Sequence, residues 1–316
     1  MTIQQLEYAV ALGKYGSFKL AADQLGISQP ALSMQIMKLE KEIDIVIFDR
    51  SRKKVEITQK GEIFLSRAQV LIHEMRQLRL LVGQLNEDPI GEVRIGIIPT
   101  LAPYLLPLFI DQLNREFNQL RVHIKEALTE EIIQDLAHGE LDGGIIATPI
   151  QSHIHLESMT LFYEGLKLFV SPQHPLYERE RIPVQDLPLC DLWLLKEGNC
   201  FRDQVENICE TVRHEHEEGM FQFESSSIES LCRIVEFKGG ITFLPELTTM
   251  HLTAEREDMI KELDGVRRVR EISLVYMPRH LKMNDLHHLG DVIRKNLPRN
   301  LLERGNAETI ATNVVV

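Results

Sequence analysis

The stretch Gly198-Asn199-Cys200-Phe201-Arg202-Asp203-Gln204, with Cys209 beyond it, holds the residue types in this chain best suited to reactive chemistry. A thiolate is a strong nucleophile, and oxidation carries it reversibly to sulfenic acid and then to a disulfide when a second thiol is at hand. The run 201–214 around it has helical patterning. On an α-helix, thiols at 200 and 209 are separated by ~13.5 Å of rise and, at ~100° per residue, face opposite sides. A disulfide requires Cα atoms within ~7 Å. Helix and Cys200–Cys209 bond therefore exclude one another, and such a pair is a redox switch rather than a structural staple. Cys200, beside glycine and charged residues, reads as a functional thiol rather than a core one, with Arg202 two positions on and Asp203 able to cap. Its place at a helix start favours a pKa below the reference value of ~8.5. Cys209 follows Ile208 and is compatible with burial, while Cys190 and Cys232 lie in apolar surroundings and read as inert.

Holding these thiols in place takes more than one domain. The chain has 316 residues, 44% of them hydrophobic, which is ample for two or three packed units. No apolar run approaches the ~18 residues of a membrane span. The opening Met1-Thr2-Ile3-Gln4-Gln5-Leu6 has neither the basic nor the apolar region of a signal peptide, so a cytoplasmic chain with no membrane partner is expected. In that compartment thiols stay reduced. The absence of a Cys-x-x-Cys pair argues against a zinc ribbon or thioredoxin motif. His214 and His216 stand in an acidic run that reads as solvated surface, so neither a metal nor a cofactor is expected. The net charge of −12 is uneven, about +1 up to residue 88 and −13 after it. The acidity belongs to the second part, and basic clusters in the first remain able to meet phosphates.

The first part reads as short helices. Leu6, Val10, Ala11 and Leu12 form one apolar face; Ser17 caps a second helix carrying Leu20, Ala21, Ala22 and Leu25; Gly26 ends it. Ser28 caps a third helix with Pro30 in its first turn, and Ala31, Leu32, Ile36 and Leu39 pack inward from it. Helix, glycine turn, helix is the spacing of a helix-turn-helix. Val55 and Ile57 alternate behind Arg50, Arg52, Lys53 and Lys54, which suggests a two-stranded wing with a basic tip. From 58 to 87 the pattern is one long helix with an apolar stripe at Ile63, Phe64, Ala68, Leu71, Met75 and Leu78, suited to dimerisation.

Beyond a hinge at 86–91, strands alternate with helices. Strands are expected at 93–98, 122–127 and 141–147, with helices at 101–117 and 130–138 between them, the rhythm of a parallel sheet. A second set follows, with strands at 166–170, 192–195, 221–223 and 241–244, helices at 201–214 and 228–237, then a strand at 272–276 and a helix at 285–297. The expected architecture is α/β overall. It comprises a winged helix-turn-helix (1–58), a linker helix (59–88), a two-lobed regulatory domain (89–304, lobe I 89–161 and 267–304, lobe II 162–266) and a flexible tail (305–316). The chain is expected to cross between lobes near Leu161 and Val266.

The third helix presents Gln29, Ser33, Gln35, Met37 and Lys38 outward. Glutamine reads adenine edges, while Ser28, Ser33 and the backbone amides of the Pro30 turn suit phosphate anchoring. Arg50, Arg52, Lys53 and Lys54 suit the flanking phosphates.

The run Ala21-Ala22-x-x-Leu25-x-Ile27-Ser28-Gln29-Pro30-Ala31-Leu32-Ser33-x-Gln35-Ile36-x-x-Leu39-Glu40 closely resembles the helix-turn-helix of LysR-type transcriptional regulators, and Phe48-x-Arg50 and Thr58-x-x-Gly61 match their wing and linker. The resemblance implies a two-lobed sensor of the periplasmic-binding-protein type, a homotetramer built as a dimer of dimers, double-stranded promoter DNA as partner, RNA polymerase as a further partner, and a place at the bacterial nucleoid. The segment 198–204 with Cys209 is similar to peroxide-sensing members of that family. It implies that Cys200 attacks hydrogen peroxide and that Cys209 resolves the sulfenic acid. It also implies that Thr100, Thr129, Asn199, Arg202, Asp203 and Arg270 surround the peroxide, with Asn199 where the family usually has histidine. The chemistry of the residues agrees: hydroxyls ahead of helices can hold a small polar molecule, and an arginine can stabilise charge developing as the O–O bond breaks. The alternative is a regulator of the same family binding a small organic acid between the lobes, with Ser225, Ser226 and Ser227 as an anion site. A thiol peroxidase is a third reading, disfavoured because an enzyme has no need of a helix-turn-helix.

Overall fold

A computed structural model describes residues 1–49, 55–85, 91–117, 120–187, 191–209, 225–265, 267–278 and 280–314. The chain divides into two compact units, the first comprising Met1–Asp88 with Ala137–Glu140, the second Pro89–Leu136 and Leu141–Val316.

The first unit contains α1 (Ile3–Tyr15), α2 (Phe18–Leu25), α3 (Gln29–Ile43), the paired strands β1 (Phe48–Asp49) and β2 (Glu56–Ile57), and α4 (Gln59–Leu85). The Ser17 and Ser28 hydroxyls accept from the Leu20 and Ala31 amides, each meeting one backbone donor that a helix start leaves unpaired. Gly26 takes φ 66°, a conformation glycine adopts without strain, and its amide returns to the end of α2. Leu32, Ile36 and Leu39 of α3 are fully buried against Ala9, Leu12, Ala21 and Ala22, each large side chain contributing roughly 1.5–3 kcal/mol. Leu20, expected on the apolar face of α2, is instead 55% exposed, because the alanines beside it fill the contact with α3. Thr58 explains the motif Thr-x-x-Gly: its hydroxyl accepts from the Gly61 amide and donates to the Val46 carbonyl. A Cβ at Gly61 would stand 2.3 Å from the Ile47 carbonyl oxygen, so this crossing of α4 over the wing base requires glycine. Along α4, Leu65, Ala68 and Ile72 are buried, while Ile63, Leu71 and Leu78 of the expected stripe face outward. Arg50, Arg52, Lys53 and Lys54 lie outside the described residues.

The second unit comprises β3 (Gly91–Ile97), α5 (Ala102–Glu116), β4 (Leu120–Glu126), α6 (Thr129–Ala137), β5 (Gly143–Thr148), β6 (Glu157–Val170), β7 (Arg181–Pro183), α7 (Cys200–Cys209), α8 (Ile228–Lys238), β8 (Ile241–Pro245), α9 (Ala254–Glu257), β9 (Ile260–Asp264), β10 (Arg268–Tyr276), α10 (Met283–Lys295), α11 (Arg299–Leu302) and β11 (Glu308–Thr309). Its strands run in the order β4-β3-β5-β10-β6-β9-β7, with β8 also on β6 and β11 on β10. β4, β3 and β5 follow the parallel rhythm read from the sequence, while β10 pairs antiparallel with both β5 and β6. The reason is the length of β6. Its first half pairs with β10, and from Leu166 onward it pairs with β8, so one continuous strand passes from one hydrophobic core to the other. One core gathers Ile95, Phe109, Ile145, Leu274 and Ile293; the other gathers Leu168, Phe169, Val205, Val235 and Phe243.

Three other expectations change. The strand at 192–195 reduces to one bridge between Leu192 and Ile241, and β7 and β9 arise where no strand was expected. The strand at 221–223, Val266, Cys190, His214 and His216 lie outside the described residues. The stretch 305–314 is no loose tail. β11 runs parallel to β10, Ala307, Ile310, Thr312 and Val314 are buried, and the Thr312 hydroxyl donates to the Pro149 carbonyl at 2.6 Å. Its alternate apolar residues find places in both cores, Ile310 in one and Val314 in the other.

A buried charge cluster secures the first of these cores. Asp142 accepts from the Arg94 amide at 2.7 Å and from Lys282 Nζ at 2.9 Å, and pairs with His280; Lys282 also donates to the Glu92 carbonyl. Burial pushes the Asp142 carboxyl up, but the His280, Lys282 and Arg94 contacts outweigh it and hold the pKa at about 2.

Candidate functional site

Residues from four elements converge on the start of α7. Gly198, at φ 79°, turns the chain into the helix. Asn199 caps it twice, its carbonyl accepting from the Arg202 amide at 2.9 Å and its Oδ1 from the Phe201 amide at 3.0 Å. Cys200 follows, 3% exposed and part of the core that holds β3, β5 and β10. This corrects the expectation of a thiol kept out of the core. Glycine and charged neighbours surround Cys200 along the chain, but in the fold α6 and β10 cover it.

Arg270 of β10 is fully buried beside it. Its Nε donates to Glu164 Oε1 at 2.7 Å and its Nη1 to Thr100 Oγ1 at 3.1 Å, and its guanidinium carbon lies 5.2 Å from the Phe201 ring centre. Thr100 stands just before α5 and Thr129 opens α6, so both hydroxyls sit at helix N-termini. Several buried polar atoms have no hydrogen-bond partner: Arg270 Nη2, Thr129 Oγ1, Asn199 Nδ2 and, one turn along α7 from Cys200, Gln204 Oε1. A buried polar atom left unpaired costs about 1–3 kcal/mol, so their gathering round one thiol points to a ligand carrying both donors and acceptors.

The electrostatics of the thiol run against the expectation of a depressed pKa. Burial pushes Cys200 up; the Thr129 hydroxyl, the Arg270 charge and the helix backbone pull it back, while Asp203 adds to the rise. Asp203, half-buried, is itself raised by burial and by Glu206. Arg202 is not brought to the thiol: its Nε donates to Glu206 and its Nη1 to the Leu195 carbonyl. Of the residues expected round the peroxide, Thr100, Thr129, Asn199 and Arg270 thus group with Cys200, Asp203 acts on it as an opposing charge, and Arg202 pairs elsewhere.

Cys209, at the other end of α7, belongs to the opposite core, next to Ile208. Burial pushes its thiol to about 11, with Arg268 opposing and Glu206 adding. Cys200, Cys209 and Cys232 are all reduced thiols. Cys232 is buried and raised to about 12 by that burial.

Two residues of the site had no role in the sequence reading. Gln204 was legible, since a polar residue four positions after Cys200 shares its helix face. Glu164 was not, because only the register of β6 on β10 sets it opposite Arg270. The Ser225-Ser226-Ser227 turn spends two of its hydroxyls on the backbone, Ser225 on the Ser227 amide and Ser227 on the Ser230 amide.

On the surface of α3, Ser28, Gln29, Pro30 and Lys38 are exposed and Ser33 is half-buried. Gln35 is drawn back toward α1, its Oε1 accepting from Gln5 Nε2 at 3.2 Å, which removes that acceptor from the outward set. Met34 and Met37 are 59% and 50% exposed and take its place on the presented face.

Residues 3–62 match the bacterial regulatory helix-turn-helix protein of the lysR family, and residues 86–298 match the LysR substrate binding domain. The chain is 35% identical over 305 residues to the hydrogen peroxide-inducible genes activator of Pectobacterium carotovorum subsp. carotovorum, covering 94% of this chain and 97% of that one. It is similar to a full-length OxyR variant from Pseudomonas aeruginosa, with a TM-score of 0.71, 30% identity, and coverage of 93% and 98%. It is also similar to a Corynebacterium glutamicum OxyR mutant with hydrogen peroxide bound, with a TM-score of 0.57, 25% identity, and coverage of 93% and 92%.

Proposed function

Because this chain belongs to the LysR family of bacterial helix-turn-helix regulators, we propose that it regulates transcription in response to hydrogen peroxide, through a reversible disulfide between Cys200 and Cys209. The observation that carries the reading is the set of unpartnered polar atoms, Arg270 Nη2, Thr129 Oγ1 and Asn199 Nδ2, grouped with a buried thiol. Hydrogen peroxide is small enough for such a site and has two O–H donors and two acceptor oxygens.

The chemistry follows from these groups. The Cys200 sulfur attacks one peroxide oxygen; the S–O bond forms as the O–O bond breaks. The departing hydroxide takes up the thiol proton and leaves as water, and the Arg270 N–H groups stabilise the charge that develops on it. The resulting sulfenic acid is then attacked by Cys209. The S–S bond forms, the S–O bond breaks, and the second hydroxyl leaves as water with the Cys209 proton. In sum, two thiols and one peroxide give one disulfide and two waters. Burial keeps the resting thiol protonated, so reaction depends on a ligand that brings its own polar contacts.

The ends of a ten-residue helix cannot be joined while it stays wound, at ~13.5 Å of rise, so closing the bond unwinds α7. Oxidation is then a choice between two folds of one segment. The output passes to promoter DNA, with Gln29 on the bases, and Ser28, Ser33, the backbone amides of the Pro30 turn, Lys38 and the wing residues Arg50, Arg52, Lys53 and Lys54 on phosphates. Assembly as a dimer of dimers, contact with RNA polymerase and a place at the cytoplasmic nucleoid complete the reading.

The test is Cys200→Ser in a promoter reporter with peroxide challenge. Loss of the response with operator binding intact is expected. A Cys200→Ser chain that still activates on peroxide refutes the proposal, as does failure to find a Cys200–Cys209 peptide by mass spectrometry after brief oxidation of the native chain.

A further inference from the structure

Glu164 is fully buried in β6, directly across the strand pair from Arg270. Its two carboxylate oxygens have separate duties. Oε1 accepts from Arg270 Nε at 2.7 Å, and Oε2 accepts from the Leu247 amide at 3.0 Å. The carboxylate is therefore anchored at one oxygen and grips the guanidinium with the other. A guanidinium is planar, so fixing its Nε edge fixes where the two remaining nitrogens point. Here Nη1 meets Thr100 and Nη2 is the unpartnered donor. Glu164 also matches the arginine's charge in a place where neither side chain touches solvent.

We infer that Glu164 is a positioning residue for peroxide reduction at Cys200: it holds Arg270 so that the guanidinium presents directed N–H donors, in place of a free cation, to the oxygen that leaves. This inference rests on the peroxide reading proposed above. Glu164 touches neither the thiol nor the oxidant; it acts through Arg270. The arginine's charge is matched by this carboxylate, while the thiol itself is held up by burial, with Asp203 adding to the rise. Burial pushes the Glu164 carboxyl up, and Arg270 and the Leu247 amide work against that rise.

Glutamine at this position keeps the shape but not the function. Both partners of Glu164 are donors, and an amide offers one acceptor oxygen and one donating nitrogen. Either Arg270 Nε or the Leu247 amide loses its acceptor. Aspartate keeps two acceptors but falls short by one methylene.

The experiment measures two reactions of Cys200 in the full-length reduced chain, oxidation by hydrogen peroxide and alkylation by iodoacetamide, each quenched and read by mass spectrometry. Glu164→Gln is expected to slow peroxide oxidation by about 10- to 100-fold while alkylation at the same pH stays within about twofold, as for a misplaced catalytic group. Glu164→Asp is expected to fall between glutamine and the native chain in peroxide rate. An unchanged peroxide rate in Glu164→Gln overturns the inference. Alkylation that changes as much as peroxide oxidation, in either direction, also overturns it, since the residue then only maintains the fold. If Glu164→Gln does not fold, Glu164→Asp alone decides: a lower ratio of peroxide to alkylation rates supports the inference and an unchanged ratio overturns it. A native chain whose Cys200 is not oxidised refutes the peroxide reading itself, an outcome distinct from all of these.

Discussion

The stretch 307–314 is bound to the very helix that oxidation must unwind, and this makes the balance between the two states measurable. Gln204 Nε2 donates to the Ile310 carbonyl at 3.3 Å, and Asn207 Nδ2 donates to the Ala311 carbonyl at 3.1 Å, from one face of α7. Those bonds require α7 to be wound, so they stabilise the reduced form and not the disulfide form. Asn207 is exposed, and Asn207→Ala removes its bond to the Ala311 carbonyl together with its side-chain pairing with Asn313. A hydrogen bond of this kind contributes roughly 0.5–1.5 kcal/mol net. For a two-electron couple, 30 mV corresponds to about 1.4 kcal/mol, so loss of the bond to the Ala311 carbonyl alone should make the reduction potential more negative by roughly 10–30 mV, and loss of the Asn313 pairing adds to that shift. The sign follows from losing stability in the reduced state only. Deleting residues 307–316 should shift it further in the same direction, since the Gln204 bond and the burial of Ile310 and Val314 go as well. The assay equilibrates each chain in thiol–disulfide buffers and counts alkylated Cys200 and Cys209. A potential that is unchanged, or that moves positive, in both variants refutes the argument that this stretch holds α7 in its wound state.

The raised Cys209 pKa is linked to stability. A folded value of about 11, above the unfolded reference of ~8.5, means the stabilisation is complete below pH ~8.5 and is lost as pH climbs toward 11, a loss of roughly 2–3 kcal/mol. Thermal melts of the reduced chain from pH 7 to 10.5 should show it, and Cys209→Ala should flatten the curve. Asp142 is the opposite case: held at about 2, it stabilises the fold above its unfolded pKa of ~3.9, and that stability is lost as pH falls toward 2. Asp142→Ala leaves the buried Lys282 charge without its partner and should cost about 3–5 kcal/mol in denaturant unfolding. At the other end of the chain, Lys53→Ala should weaken operator binding evenly across sequences and reduce the slope of log K against log salt by about 0.9. A loss of specificity without a change in slope would place Lys53 on a base instead.

Much of this protein was legible in the sequence, because much of it is local. Ser17, Gly26 and Ser28 mark helix ends through bonds to residues three or four positions away, and those bonds appear as expected, with Pro30 in the first turn of α3 where its missing N–H costs nothing. The thiol spacing in α7 needed only the rise of a helix. What fell outside local rules was decided by pairing at a distance. Gln35 reads as an outward base contact until Gln5, on another helix, draws its oxygen back. Leu20 reads as core until the alanines beside it prove sufficient. The stretch after residue 305 reads as loose because it is short and weakly patterned, yet it completes two cores assembled from elements far up the chain.

Cys200 shows the division most clearly. Residue type and spacing determined that it could pair with Cys209 only by unwinding a helix, and its neighbours along the chain suggested an accessible, acidified thiol. The tertiary structure decided otherwise on both counts. It covered the thiol, raised its pKa by burial, and set beside it an arginine whose charge is matched by Glu164, 106 positions away. Ionisation depends on the dielectric and the charges that surround a group in space, and a chain folded across two cores brings those from strands and helices that no spacing rule connects.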